Sequence, residues 1–117
     1  IKEKNKTKHL KEFIEKFDFL DDKEIASIFS DDISVNALIL LAIGFEKEGN
    51  YEKSLNIYLN LLQKVNKIQK LEILQNMAEV YLKAGFLHKA RESLLEILRA
   101  KPRDIKALKT LLIVDDK

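Results

Sequence analysis

The chain has 117 residues, of which 46% are hydrophobic and 34% charged, a balance that fits one folded helical domain and excludes a disordered chain. One proline and three glycines leave too little turn chemistry for many short strands, and the absence of cysteine removes disulfides, thiolate metal sites and a cysteine nucleophile together. The net charge of +2 is local: residues 1–11, "IKEKNKTKHLK", hold five lysines against one glutamate, and the rest of the chain is close to neutral.

That basic leader has three readings. It is a solvated tail, or it touches phosphates of a nucleic acid, or it lies just cytoplasmic of a membrane helix, where lysines gather. The sequence itself has no run of about 18 apolar residues that would cross a bilayer as a helix. It opens at Ile1 and stops at "LIVDDK" in the middle of a helical pattern, which reads as a fragment of a longer protein.

Residues 12–34 follow as two short helices. "HLKEFIEKFDFL" sets Leu10, Phe13, Ile14 and Phe17 on one face, and Asp21 precedes Glu24 by three, a capping arrangement. This pair is expected to cap the helices that follow.

From Val35 the periodicity is helical throughout. Leu38, Leu41, Ala42 and Phe45 form one stripe, broken at Gly49 and Asn50; Leu55, Tyr58, Leu61, Leu62 and Val65 form the next. The pattern returns as Leu74, Met77, Ala78 and Tyr81, then Gly85, then Ala90, Leu94, Ile97 and Leu98, until Pro102 ends it. Ala42 and Ala78, Phe45 and Tyr81, Gly49 and Gly85, Ser54 and Ala90, and Tyr58 and Leu94 are each 36 residues apart. Leu74, Met77 and Ala78 recur once more, at an offset of 34, as Leu108, Leu111 and Leu112. Five landmarks on one offset mark an internal repeat, and the third copy of its first helix lacks a second helix.

With these residues the chain resembles the tetratricopeptide repeat family, whose 34-residue unit is a helix, a tight turn and an antiparallel helix. Leu38, Leu41, Ala42, Phe45, Gly49, Tyr51, Ser54, Tyr58 and Leu61 carry the resemblance in one unit. Leu74, Met77, Ala78, Tyr81, Gly85, Ala90, Leu94, Ile97 and Pro102 carry it in the next. The first unit departs from the family in ending at Asn66 where proline is favoured, and "NKIQK" contains a two-residue insertion. The resemblance implies an all-α fold of antiparallel helix pairs stacked as a short right-handed solenoid. Its parts are a leader at 1–11, a helix pair at 12–34, units at 35–68 and 71–104, and a final solvating or incomplete helix at 105–117. Ala42, Ser54, Ala78 and Ala90 sit where paired helices cross closely, at 8 to 10 Å for typical packing. Gly49 and Gly85 end first helices in a left-handed conformation that carries no Cβ penalty.

In that family, first helices line a concave surface that holds a peptide or helix of a protein partner. The residues carried onto it here are Asn36, Ile39, Leu40, Ile43 and Lys47 in one unit, Glu72, Gln75, Asn76, Glu79 and Lys83 in the next, and Lys106 and Lys109 from the final helix. Some members grip a terminal carboxylate with a lysine and asparagine clamp. Ile39 and Ile43 stand where those polar groups are expected, so the clamp is absent and the apolar residues are expected to be covered, by the N-terminal helices or by an amphipathic partner helix. The stretches "GFEKEGNYEKSLNIYLNLL" and "YLKAGFLHKARESLLEILRAKPRDIKALKTLLIV" are also similar to the repeat region of the lipopolysaccharide assembly protein B family. That resemblance implies a bacterial, membrane-anchored adaptor with its repeats at the cytoplasmic face.

Catalytic readings find no support in the sequence. His9 and His88 lie far apart, and with no cysteine a metal site would need carboxylates to converge on one of them. Asp21 with Asp22, and Asp31 with Asp32, precede helical runs as caps do, and Asp115 with Asp116 form a third adjacent pair. Gly44, Gly49 and Gly85 form no phosphate loop. The expectation is therefore a non-catalytic protein-binding scaffold, with no cofactor, metal or small-molecule substrate. Its alternative is a basic helical module at a membrane or on nucleic acid, and dimerisation through the exposed end of the array is a further expectation.

Overall fold

The structure, a computed structural model, describes residues 34–117. The leader, the helix pair expected at 12–34 apart from Ser34, and with them His9, Asp21, Asp22, Asp31 and Asp32, lie outside the described residues. All described secondary structure is helical: α1 (Val35–Lys47), α2 (Tyr51–Leu62), α3 (Lys67–Ala84), α4 (Leu87–Ala100) and α5 (Ile105–Asp115). Two compact units divide the chain after Gln63, the first holding α1 and α2 and the second α3, α4 and α5.

Four of the five described helix starts carry a side-chain cap. The side chains of Ser34, Asn50 and Asp104 accept hydrogen bonds from the amides of Ala37, Lys53 and Ala107, at 3.1, 3.3 and 3.0 Å, so each satisfies one of the amides that a first turn leaves orphaned. Asn66 goes further. Its Oδ1 accepts from the Gln69 amide at 2.8 Å while the Gln69 side chain accepts from the Asn66 amide at 3.3 Å, a reciprocal capping box. This cap explains a difference from the sequence reading. Spacing starts the second unit at residue 71, yet helix α3 begins at Lys67 and runs for 18 residues against 13 for α1. The inserted residues of "NKIQK" are accommodated as an added first turn of helix.

The two repeat-related turns are closed by one motif. At the end of α1 the Gly49 amide donates to the Glu46 carbonyl at 3.0 Å and the Asn50 amide to the Phe45 carbonyl at 2.8 Å. At the end of α3 the Gly85 amide donates to Leu82 at 3.2 Å and the Phe86 amide to Tyr81 at 2.8 Å. These are the paired bonds of a Schellman turn, which needs a left-handed residue, and Gly49 and Gly85 adopt φ values of 82° and 86°. The residue after each glycine then diverges: Asn50 caps α2, whereas Phe86 makes no cap and sets its ring edge-on against Tyr81 at 6.5 Å. The second turn trades a polar cap for the apolar contact that often accompanies this motif.

In the first unit α1 packs on α2, with Leu41, Ala42, Phe45, Ile57, Tyr58 and Leu61 buried and Lys53 set over the Phe45 ring at 5.4 Å. In the second unit α4 packs against both α3 and α5, and α3 also touches α5. Its core includes Ile73, Leu74, Met77, Ala78, Val80, Ala90, Leu94 and Ile97. Ile57 on α2 and Ile73 and Val80 on α3 lie off the single stripes read from the sequence and are fully buried, so both helices are covered over a wider arc than one face. Ala42, Ser54, Ala78 and Ala90 are all fully buried, as crossing points require. Pro102 follows the end of α4 in a turn closed by the Asp104 amide on the Lys101 carbonyl at 3.1 Å, and cannot extend the helix.

Helix α5 is offset from expectation in what it buries. Ala107, Thr110 and Val114 are buried, whereas Leu108 and Leu112, which continue the stripe of Leu74 and Ala78, are exposed and Leu111 is half-buried. The reason is positional: Leu74 and Ala78 belong to a helix paired with α4, and no second helix follows α5 among the described residues.

Candidate functional site

The residues carried onto a partner-binding surface fall on two separate units. On α1, Asn36, Leu40 and Lys47 are exposed, Leu40 by 54%, and Ile43 is half-buried. Ile39 is only 7% exposed. It is a core position in this structure, closed to a ligand and intolerant of a charge. The four open residues are spaced three and four apart, on one side of the helix.

On the second unit the structure brings the expected residues into a network. The Gln75 amide nitrogen donates to Thr110 Oγ1 at 3.0 Å and reaches Glu79 Oε1 at 3.5 Å. Thr110 Oγ1 in turn donates to the Lys106 carbonyl at 2.9 Å, and Lys106 Nζ stands 3.8 Å from Glu79 Oε1. Gln75 is therefore committed inward, with 7% exposure, and ties α3 to α5 where the sequence reading had it line a surface. Thr110 is the partner that sequence reasoning missed. The available signal was the one uncharged polar residue of its helix, four residues after Lys106 and 35 after Gln75.

Around this buried pair the unit presents a mixed polar surface. Glu72, Lys83, Lys106 and Lys109 are exposed, and Asn76 and Glu79 are half-buried. Glu72, Asn76, Glu79 and Lys83 are consecutive at three- and four-residue spacing along α3, so they share one face. The Lys106–Glu79 pair is solvent-accessible and adds little to stability. The surface around it carries both signs of charge, Glu72 and Glu79 against Lys83, Lys106 and Lys109.

No group of three or more histidine, aspartate or glutamate side chains could hold a metal among the described residues. His88 is exposed on α4, its Nε2 3.1 Å from the Glu92 carboxylate. Asp115 Oδ1 accepts a 2.6 Å hydrogen bond from Arg91 Nη1, which links α5 to α4. Among the described residues the Tyr81 phenol is pushed above its usual value by burial, with the Glu92 carboxylate adding to the effect. No helix among the described residues is long and apolar enough to cross a membrane. Neither a protein-family model nor a curated protein matches this sequence.

Proposed function

We propose that the chain is a tetratricopeptide-type scaffold that holds a segment of a protein partner on its first helices and performs no catalysis. The observation that supports it most is the juxtaposition of α3 and α5 through Gln75 and Thr110. Two helices separated in the chain by α4 stand side by side, an arrangement expected when repeat units stack and their first helices share a surface. Asn76, Lys83, Lys106 and Lys109 then supply the donors, and Glu72 and Glu79 the acceptors, for an extended peptide. On α1, the exposed Leu40 beside half-buried Ile43 offers an apolar contact for the same class of partner.

The test is affinity capture by the full-length protein from its native cells, comparing wild type with an Asn76→Ala, Lys109→Glu double variant and with Leu40→Glu. Leu40 and Lys109 are exposed and Asn76 is half-buried, so all three changes spare the core. Selective loss of one partner supports the reading. Retention of every partner rejects these faces, and capture of no partner by the wild type rejects the scaffold itself.

A further inference from the structure

The added first turn of α3 changes one end of the second unit. Helices α3 and α4 pack together on either side of the Gly85 turn, so the start of α3 meets the end of α4, where Lys70 Nζ stands 3.2 Å from Glu96 Oε1. Helix α5 sets out from that same end. The added turn carries Lys67 and Ile68 out beyond the Lys70–Glu96 pair, and past Glu96 the chain runs through Arg99, Lys101 and Arg103 before Ile105 opens α5. All six of these residues are exposed, Ile68 by 76% and Ile105 by 67%.

Charge and apolar exposure together define what this end can meet. Over residues 67–72 and 96–106 six cations stand against three acids. Two of those acids are engaged, Glu96 with Lys70 and Asp104 in accepting the Ala107 amide at 3.0 Å as the cap of α5. Lys67, Arg99, Lys101 and Arg103 have no acidic partner among the described residues. The two isoleucines stand among these cations on separate helix starts, not as a stripe along one helix.

We propose that this end of the second unit rests on a membrane surface rich in anionic lipid, with Ile68 and Ile105 entering the interface and the four cations meeting the headgroups. A lipid surface is fluid and needs no matched shape, so separate aliphatic side chains set among cations suit it. A nucleic acid would leave both isoleucines in water, and residues 64–72 and 96–106 hold no aromatic ring to stack on a base. An acidic protein segment would match the charge, but a specific protein contact needs a continuous packed core, which two isolated side chains do not supply. Helix pairs stack through their faces, so the ends that carry turns stay open along the edge of an array. Each cation within a Debye length of such a surface strengthens binding about fivefold, and the effect fades in salt. The contact uses the end of the unit and leaves free the side of α3 and α5 that carries Asn76 and Lys109, so this reading and the peptide-binding one stand independently.

Cosedimentation of the full chain with lipid vesicles tests the proposal. Binding is expected to phosphatidylcholine vesicles that contain phosphatidylserine, and not to phosphatidylcholine alone. A Lys101→Gln, Arg103→Gln double variant should bind about 25-fold more weakly, and Ile68→Ser and Ile105→Ser each about tenfold more weakly. Helicity should be unchanged in all three, because the four side chains are exposed. The basic leader is common to every variant, so these differences report the patch. No binding to the phosphatidylserine vesicles, or binding that the double variant leaves intact, overturns the proposal. So does binding that depends on the cations and ignores both serine changes, or a single-stranded oligonucleotide or polyglutamate that holds the same cations more tightly than the vesicles do, since the patch would then serve an acidic polymer.

Discussion

The Ser54 hydroxyl donates a 2.8 Å hydrogen bond to the carbonyl of Ala42, twelve residues earlier in the chain, at the crossing of α1 and α2 where both residues are fully buried. The equivalent pair 36 residues on, Ala78 and Ala90, has no hydroxyl to offer and is buried all the same. Small size is the shared requirement of both crossings. The hydrogen bond is particular to the first, where the serine oxygen would otherwise be buried without a partner and the Ala42 carbonyl has a second lone pair to give.

Two substitutions at this point should separate size from polarity. Ser54→Ala removes donor and oxygen together and should cost about 0.5–1.5 kcal/mol, lowering the thermal midpoint by a few degrees. Ser54→Leu should cost more, about 1–3 kcal/mol, because the helix axes must separate to admit the side chain. Urea midpoints of the two variants check the order. A Ser54→Leu protein as stable as Ser54→Ala would show that the crossing is not sterically limited.

The two turn glycines offer a cleaner case. A Cβ built at Gly49 or Gly85 meets nothing within 4 Å, so the penalty of alanine there is backbone strain alone, without collision. With φ at 82° and 86°, each Gly→Ala change should cost about 1–2 kcal/mol. Asparagine, which tolerates the left-handed region better, should recover part of the loss at both sites. Equilibrium denaturation of the four single variants decides this. Alanine variants as stable as wild type would mean that the turns relax to another conformation.

Tyr81 should make stability fall at high pH. Its folded-state proton is held more tightly than in the unfolded chain, where tyrosine titrates near pH 10. Below about pH 10 both states are protonated and the group adds no pH dependence; above it the unfolded state ionises first and is favoured, until the folded phenol also ionises. Tyr81→Phe removes this contribution, so the loss of stability between about pH 9 and pH 11 should be shallower in the variant than in wild type. Urea midpoints measured at several values across that window, for both proteins, give the comparison. Identical slopes would show that the phenol is not the source.

The sequence by itself determined what depends on near neighbours in the chain: five described helices, the left-handed glycines at Gly49 and Gly85, and the small residues at the crossings. These follow from the three- and four-residue reach of a helix and from the 36-residue echo of one unit in the next, both visible in the linear text. The tertiary structure alone decided how much of each helix is covered. Gln75 was assigned to an open surface by register, yet it is buried; Ile39, which the sequence left to be covered either by the chain's own helices or by a partner, is buried within the chain; and Ile57, Ile73 and Val80 are core positions off the main stripes. Leu108 and Leu112 repeat a buried pattern and are exposed. The physical reason is that burial of a second face is set by helices that come from elsewhere in the chain, as Thr110 reaches Gln75 across 35 residues, and periodicity records only that a face is apolar, with no mark of what lies against it.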